Sequence, residues 1–232
     1  MKHLFVSMAL VLLFAAPALA QSNSVIGAAQ LYVGGTWSAR LDLDNSTGSG
    51  EYVNIFFLNS FSTANVSVNG SVAGQFFEAY LPPHKITSFT LTRNMPPVPN
   101  TWLNVTLRSQ GAIFVTGRLT HYDSRRYVCE YPLSALNDHY LINALWTPIE
   151  QTAFSIAVPA DTGRTLVQIR AIDLDNNEVG RTLLDLVPMF QTALFIGELP
   201  NLSLPLGFVG TLEITSIPSN NLVLISTALF RE

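Results

Sequence analysis

His121 and Asp123 stand two apart at the end of an apolar run, so in an extended strand both side chains leave the same face. A histidine beside a carboxylate supplies the base and its orienter in a hydrolytic triad. The nucleophile is not evident: no G-x-S-x-G elbow presents a serine on a strand–turn–helix. The pair therefore reads as a solvated strand end, and no catalytic residue is assigned. Two acidic runs also resemble each other, Asp42-Leu43-Asp44-Asn45 and Asp173-Leu174-Asp175-Asn176. Carboxylates at i and i+2 beside an Asn are oxygen ligands of the kind calcium takes. Neither run carries the Gly at the sixth loop position or the Glu at the twelfth, where Val53 and Leu184 stand instead. The second run also fits a hairpin turn between Ile172 and Val179. His84, His121 and His139 show no zinc-ligand spacing. No metal ligand and no cofactor site is assigned.

The aromatics are more suggestive. Phe56-Phe57 and Phe76-Phe77 are adjacent pairs in apolar runs, and Tyr80 lies beside the second. A strand turns alternate side chains to opposite faces, so one member of each pair must point away from the core. Two fates suit the outward members. One is contact with a partner, protein or glycan, through Phe56, Phe57, Phe76, Phe77 and Tyr80. The other, and the favoured one, is burial against the second half of the chain. Cys129 is the single cysteine, so no intramolecular disulfide forms. Tyr127 and Tyr131 flank it on one face, which predicts a buried, slowly reacting thiol and a monomeric chain. Sequons at Asn45, Asn65, Asn69, Asn104 and Asn201 read as Asn-rich turns and strand faces.

The elements that hold these residues are short strands punctuated by turns. Strands are expected at 29–33, 38–43, 52–58, 71–80, 86–92, 101–107 and 112–122, with Gly, Pro and Asn clusters between them. Leu103, Val105 and Leu107 alternate with polar neighbours, and so do Leu212 and Ile214. The run 222–230 is apolar on both faces, which predicts a central strand or one covered by another part of the chain. A short helix is expected within 191–199, ended by Pro200.

One layout occurs twice. Gly34-Gly35-Thr36-Trp37, an apolar strand and the turn Asn45-Ser46-Thr47-Gly48 match Trp146-Thr147-Pro148, a strand and Ala160-Asp161-Thr162-Gly163. The copies close alike, with Trp102–Thr106 leading into 113–122 and Gly210–Thr215 into 222–230. The repeat length is roughly a hundred residues, the size of one β-sandwich. The expected class is all-β: two tandem immunoglobulin-like antiparallel sandwiches at 25–123 and 139–232, joined by a linker at 124–138.

Residues 1–20 read as a cleaved secretory signal: Lys2 and His3, an apolar core from Leu4 to Ala16, then Pro17 and Ala18-Leu19-Ala20. Lys2 is the one charged residue in that leader, so the remainder carries 11 basic against 16 acidic side chains. No basic face exists to displace counterions from nucleic acid, and that class is set aside. No membrane span follows the leader. Charged residues make up only 12% of the chain and apolar ones 48%, which calls for two cores, a buried internal contact or a surface made to touch something.

The aromatic-led first strand, the Asn/Asp-Ser/Thr-Gly turn and closing strands such as Val115–Leu119 and Ile225–Phe230 resemble uncharacterised exported bacterial proteins built from tandem immunoglobulin-like sandwiches. The resemblance covers most of the chain after the leader and implies no catalytic residues. The expected role is a non-catalytic exported interaction or structural module at the periplasm, cell surface or outside the cell, with a protein or glycan partner. A periplasmic two-sandwich chaperone is an alternative by size, although no Arg/Lys pair stands ready to hold a partner's carboxylate. A small outer-membrane barrel is a further one, disfavoured by the prolines and the repeat.

Overall fold

The computed structural model describes residues 25–59, 65–74, 76–94, 101–107, 115–123 and 126–231. The leader at 1–20 lies outside them. Among the described residues the chain is all-β, with antiparallel sheets and no α-helix.

The first half builds eleven strands: β1 (Val25–Ala28), β2 (Trp37–Asn45), β3 (Glu51–Asn59), β4 (Val66–Val68), β5 (Ser71–Gly74), β6 (Phe76–Leu81), β7 (Lys85–Thr92), β8 (Thr101–Leu107), β9 (Val115–Asp123), β10 (Arg126–Pro132) and β11 (Ser134–Ala135). They form two sheets, ordered β11-β1-β8-β3-β6 and β10-β9-β2-β7-β4-β5. Alternation decides what lies between them. Val53, Ile55 and Phe57 from β3 and Leu103 and Val105 from β8 meet Leu41, Leu43, Leu91 and Leu119 in a shared core, all fully buried. The predicted single strand 71–80 divides. Gly74 takes φ 69°, β5 ends in one sheet and β6 begins in the other.

The second half adds β12 (His139–Trp146), β13 (Glu150–Ala157), β14 (Thr165–Asp173), β15 (Glu178–Leu186), β16 (Gln191–Phe195), a 3-10 turn at Ile196–Glu198, β17 (Phe208–Ile217) and β18 (Leu224–Arg231). Its order is β15-β14-β17-β12-β13-β16, with β18 on the other edge of β13. β12 and β13 share only the Trp146–Gln151 pair, so the path folds over at that hairpin. Val167, Ile169, Leu212 and Ile214 on one wing pack on Phe154, Ile156 and Ile225 on the other. Outside the first wing the side chains are charged: Arg170 bridges Glu178 and Glu213, and Arg181 and His139 add to the same row.

The two halves repeat one pairing scheme. The run β1-β8-β3-β6 corresponds to β12-β17-β14-β15, and β9-β2-β7 corresponds to β18-β13-β16.

Three local expectations differ from what is observed. Residues 29–33 are not a strand: the Ala29 N–H leaves the ladder and donates to Ser226 Oγ at 2.9 Å. In 191–199, Gln191–Phe195 pairs with β13, and only the three residues that follow coil. The stretch 124–138 holds β10, which pairs with β9, and β11, which pairs with β1. Both extend the sheets of the first half.

β18 is buried on both faces by different partners. Ile225 lies in the second core, while Leu224 packs with Ala29, Ala157 and Leu58 at the junction of the halves. Ser134 Oγ donates to the Ile225 carbonyl at 2.6 Å, and Asn137 bridges to Val223. The Tyr140 hydroxyl lies 2.7 Å from the Val223 carbonyl, and burial pushes its pKa up to about 12. Ile225→Asp is expected to cost roughly 3–5 kcal/mol, because its carboxylate enters a dry core without a counter-charge. Leu229→Asp, on the same strand but 45% exposed, is expected to change stability by less than about 1 kcal/mol. Urea denaturation of the two variants checks this, and equal losses would refute the difference in burial between the two ends of β18.

Candidate functional site

Two surfaces stand out, and the sequence points to only one. β3 and β6 pair in register with Tyr52 opposite Tyr80, Asn54 opposite Glu78 and Phe56 opposite Phe76. All six belong to the outward set, because Val53, Ile55 and Phe57 on β3 and Ala79 on β6 point into the core. The Tyr52 and Tyr80 rings lie 5.1 Å apart, and the Phe56 and Phe76 rings stack at 5.6 Å. Tyr52, Phe76 and Tyr80 are each at least half exposed, so no part of the described chain covers them. Two aromatic pairs thus flank a polar rung on an open sheet edge.

Of the five sequence candidates, the structure brings Phe56, Phe76 and Tyr80 together outside. Phe57 and Phe77 go inside, with rings 6.0 Å apart, and Phe77 meets Phe89 edge-on. The favoured fate of the outward aromatics, burial against the second half, does not occur at Phe76 or Tyr80. That half docks elsewhere, over Ala29 and Leu58. Tyr52 was not among the candidates; its place opposite Tyr80 follows from the register, which the sequence does not print.

The second surface is a cleft of about 350 Å³ between the halves. Tyr32 and Trp37 form one wall, edge to face at 5.0 Å, and the outward residues of β13, β16 and β18 form the other. His121 lies at its inner end, almost fully buried, with Nε2 accepting the Tyr32 N–H at 3.0 Å. Desolvation lowers its pKa to about 4, so the ring is neutral at physiological pH. With Nε2 engaged and its basicity suppressed, His121 is poorly suited to general-base work. Asp123 Oδ1 accepts the Thr36 hydroxyl at 2.6 Å.

In each acidic run the first carboxylate is engaged within the fold. Asp42 is buried, ion-paired with Arg40 at 3.0 Å and bonded by Ser88. Asp173 Oδ1 accepts the Asn177 and Asp175 amides at 2.8 and 3.0 Å, which holds its pKa below the usual carboxylate range. That is the hairpin turn expected between β14 and β15. Among the described residues, no three His, Cys, Asp or Glu side chains gather as a metal site requires. Asn45, a sequon residue, is fully buried and donates from Nδ2 to the Ser49 and Leu81 carbonyls, so its amide is committed. The Cys129 backbone pairs with His121, while the expectation of a buried thiol falls on a side chain outside those described.

No known family profile matches the chain, and no curated protein matches it.

The buried imidazole sets a pH dependence. An unfolded histidine titrates near 6.5, whereas folded His121 resists its proton down to about pH 4. Above pH 6.5 neither state is protonated and nothing is lost. Between 6.5 and 4 only the unfolded chain gains the proton, which costs the folded state about 3 kcal/mol by pH 4. His121→Gln keeps an acceptor without the charge. The stability of the wild type relative to that variant is expected to drop by about this amount between pH 7 and pH 4 in urea titrations. Curves that stay parallel would show that His121 is protonated at no cost.

Proposed function

We propose that the chain is a non-catalytic exported interaction module of two tandem immunoglobulin-like sandwiches, acting as a monomer on a protein or glycan partner. The observation that carries this reading is the aromatic ladder of Tyr52, Tyr80, Phe56 and Phe76 on the open edge of β3 and β6. Aromatic rings give a partner a large, rigid contact area at small entropic cost, and they are the residues around which binding energy concentrates. Glu78, exposed between the two aromatic pairs, sets a carboxylate beside the rings.

The recurrence of one strand order in both halves supports the tandem reading. The layering departs from the constant-type arrangement, in which the first and fourth strands share a sheet with the second and fifth and the last lies with the third and sixth. Here β1 lies beside β8, β6 beside β3 and β9 beside β2, so the first, fourth and last strands of the unit have changed sheets. The leader at 1–20 supports export to the periplasm, the cell surface or beyond.

The Phe76→Ser/Tyr80→Ser variant is expected to lose capture of the partner from native-host extract, or binding on a glycan array, by at least about tenfold. Both rings are at least half exposed, so its stability is expected to fall by no more than about 1 kcal/mol. Undiminished capture by the folded variant would remove the ladder from the binding surface.

A further inference from the structure

We infer that the cleft between the halves is a binding site for a small, flat, uncharged, largely apolar molecule. Its sheet wall lacks long polar side chains. Outward faces of antiparallel strands usually carry long polar side chains. Across β16, β13 and β18, one outward row here reads Ala193, Ser155, Ser226, and the row beside it reads Phe195, Ala153, Ala228. Strand spacing makes this shelf roughly 10 Å wide, and two rows along the strands span about 7 Å. Small side chains at five of the six positions leave it flat, and the Phe195 ring stands at one corner.

The facing wall is aromatic, with Tyr32 and Trp37 locked edge to face. A slot between a flat shelf and aromatic rings suits a ring system. Its volume of about 350 Å³ lies within the range of small-molecule sites, which favour junctions between packed units. The electrostatics select against ions. Glu198 is the only formally charged residue among those lining the cleft, and its carboxylate already accepts the Phe195 N–H at 3.1 Å. No lysine or arginine is among the described residues that line the cleft, and His121 stays neutral at physiological pH. The Ser155 hydroxyl, in the middle of the shelf, gives the ligand one polar handle. This site uses none of the residues of the aromatic ladder, so the two stand or fall separately.

The probe is 6-propionyl-2-dimethylaminonaphthalene, a neutral planar dye whose emission shifts to the blue in apolar surroundings. The expected result is saturable, blue-shifted binding of one dye per chain. Anionic 8-anilinonaphthalene-1-sulfonate is expected to bind at least tenfold more weakly. Ala193→Phe fills the shelf from an exposed position and is expected to weaken the neutral dye at least tenfold. Ala153→Leu, one row along, is expected to do the same, while Phe76→Ser/Tyr80→Ser leaves the affinity unchanged. No saturable binding to the wild type would overturn the inference. So would full affinity in both filled variants, or loss of binding in the ladder variant. Equal affinity for the anionic dye would overturn the assignment to uncharged ligands.

Discussion

A strand has two faces, and this chain has too few charges to wet the outer ones. That constraint organises the molecule. Alternation sends Phe57, Val53 and Ile55 inward and, by the same step, sends Tyr52 and Phe56 outward. Each outer face is then dealt with in its own way. On β14, β15 and β17 the few available charges are concentrated into a row of ion pairs around Arg170, Glu178 and Glu213. Such pairs add little stability, but they keep the face soluble. On β13 and β18 the outer face carries small residues and is closed over by the first half. On β3 and β6 it is aromatic and open.

The small-residue face has a second effect. Because Ala and Ser project little, the first half approaches β18 closely enough for the Ala29 amide to reach Ser226, yet a cleft remains where Tyr32 and Trp37 stand off from the shelf. His121 occupies the inner end of that gap, and its neutrality keeps the gap free of a buried positive charge. The ladder and the cleft lie on different strands, so a ligand at one need not exclude a ligand at the other.

Much of this was legible in the sequence, for local reasons. The alternation at Leu103 and Val105 and at Leu212 and Ile214 places β8 and β17 correctly, because each strand buries one face only. The two-sided apolar character of 222–230 demanded cover on both sides, which residues 223–226 receive and Leu222 and Leu229 do not. What escaped depends on distant partners. Residues 29–33 have an apolar strand pattern, but their first amide is diverted by a hydroxyl in the last strand. Arg126–Pro132 looks like a connector because it matches neither copy, yet it pairs along β9. The cleft left a faint trace, the alternating small residues Ala153, Ser155 and Ala157, which have no meaning until β16 and β18 are laid beside them.

The contact between Ala29 and Ser226 spans 197 residues of chain. Lengthening a closed loop adds little free energy, since each doubling costs only about 0.6 kcal/mol, so the finished molecule bears that distance easily. The order of synthesis feels it more. The ribosome releases the first half long before 224–226 exist, and domains close their cores as they emerge. The surface around Ala29 and Leu58 must therefore wait, apolar and uncovered, for the last strand to be made. Until then the emerging chain carries its own future junction as a sticky face, and the shielding of that face is timed by translation of β18.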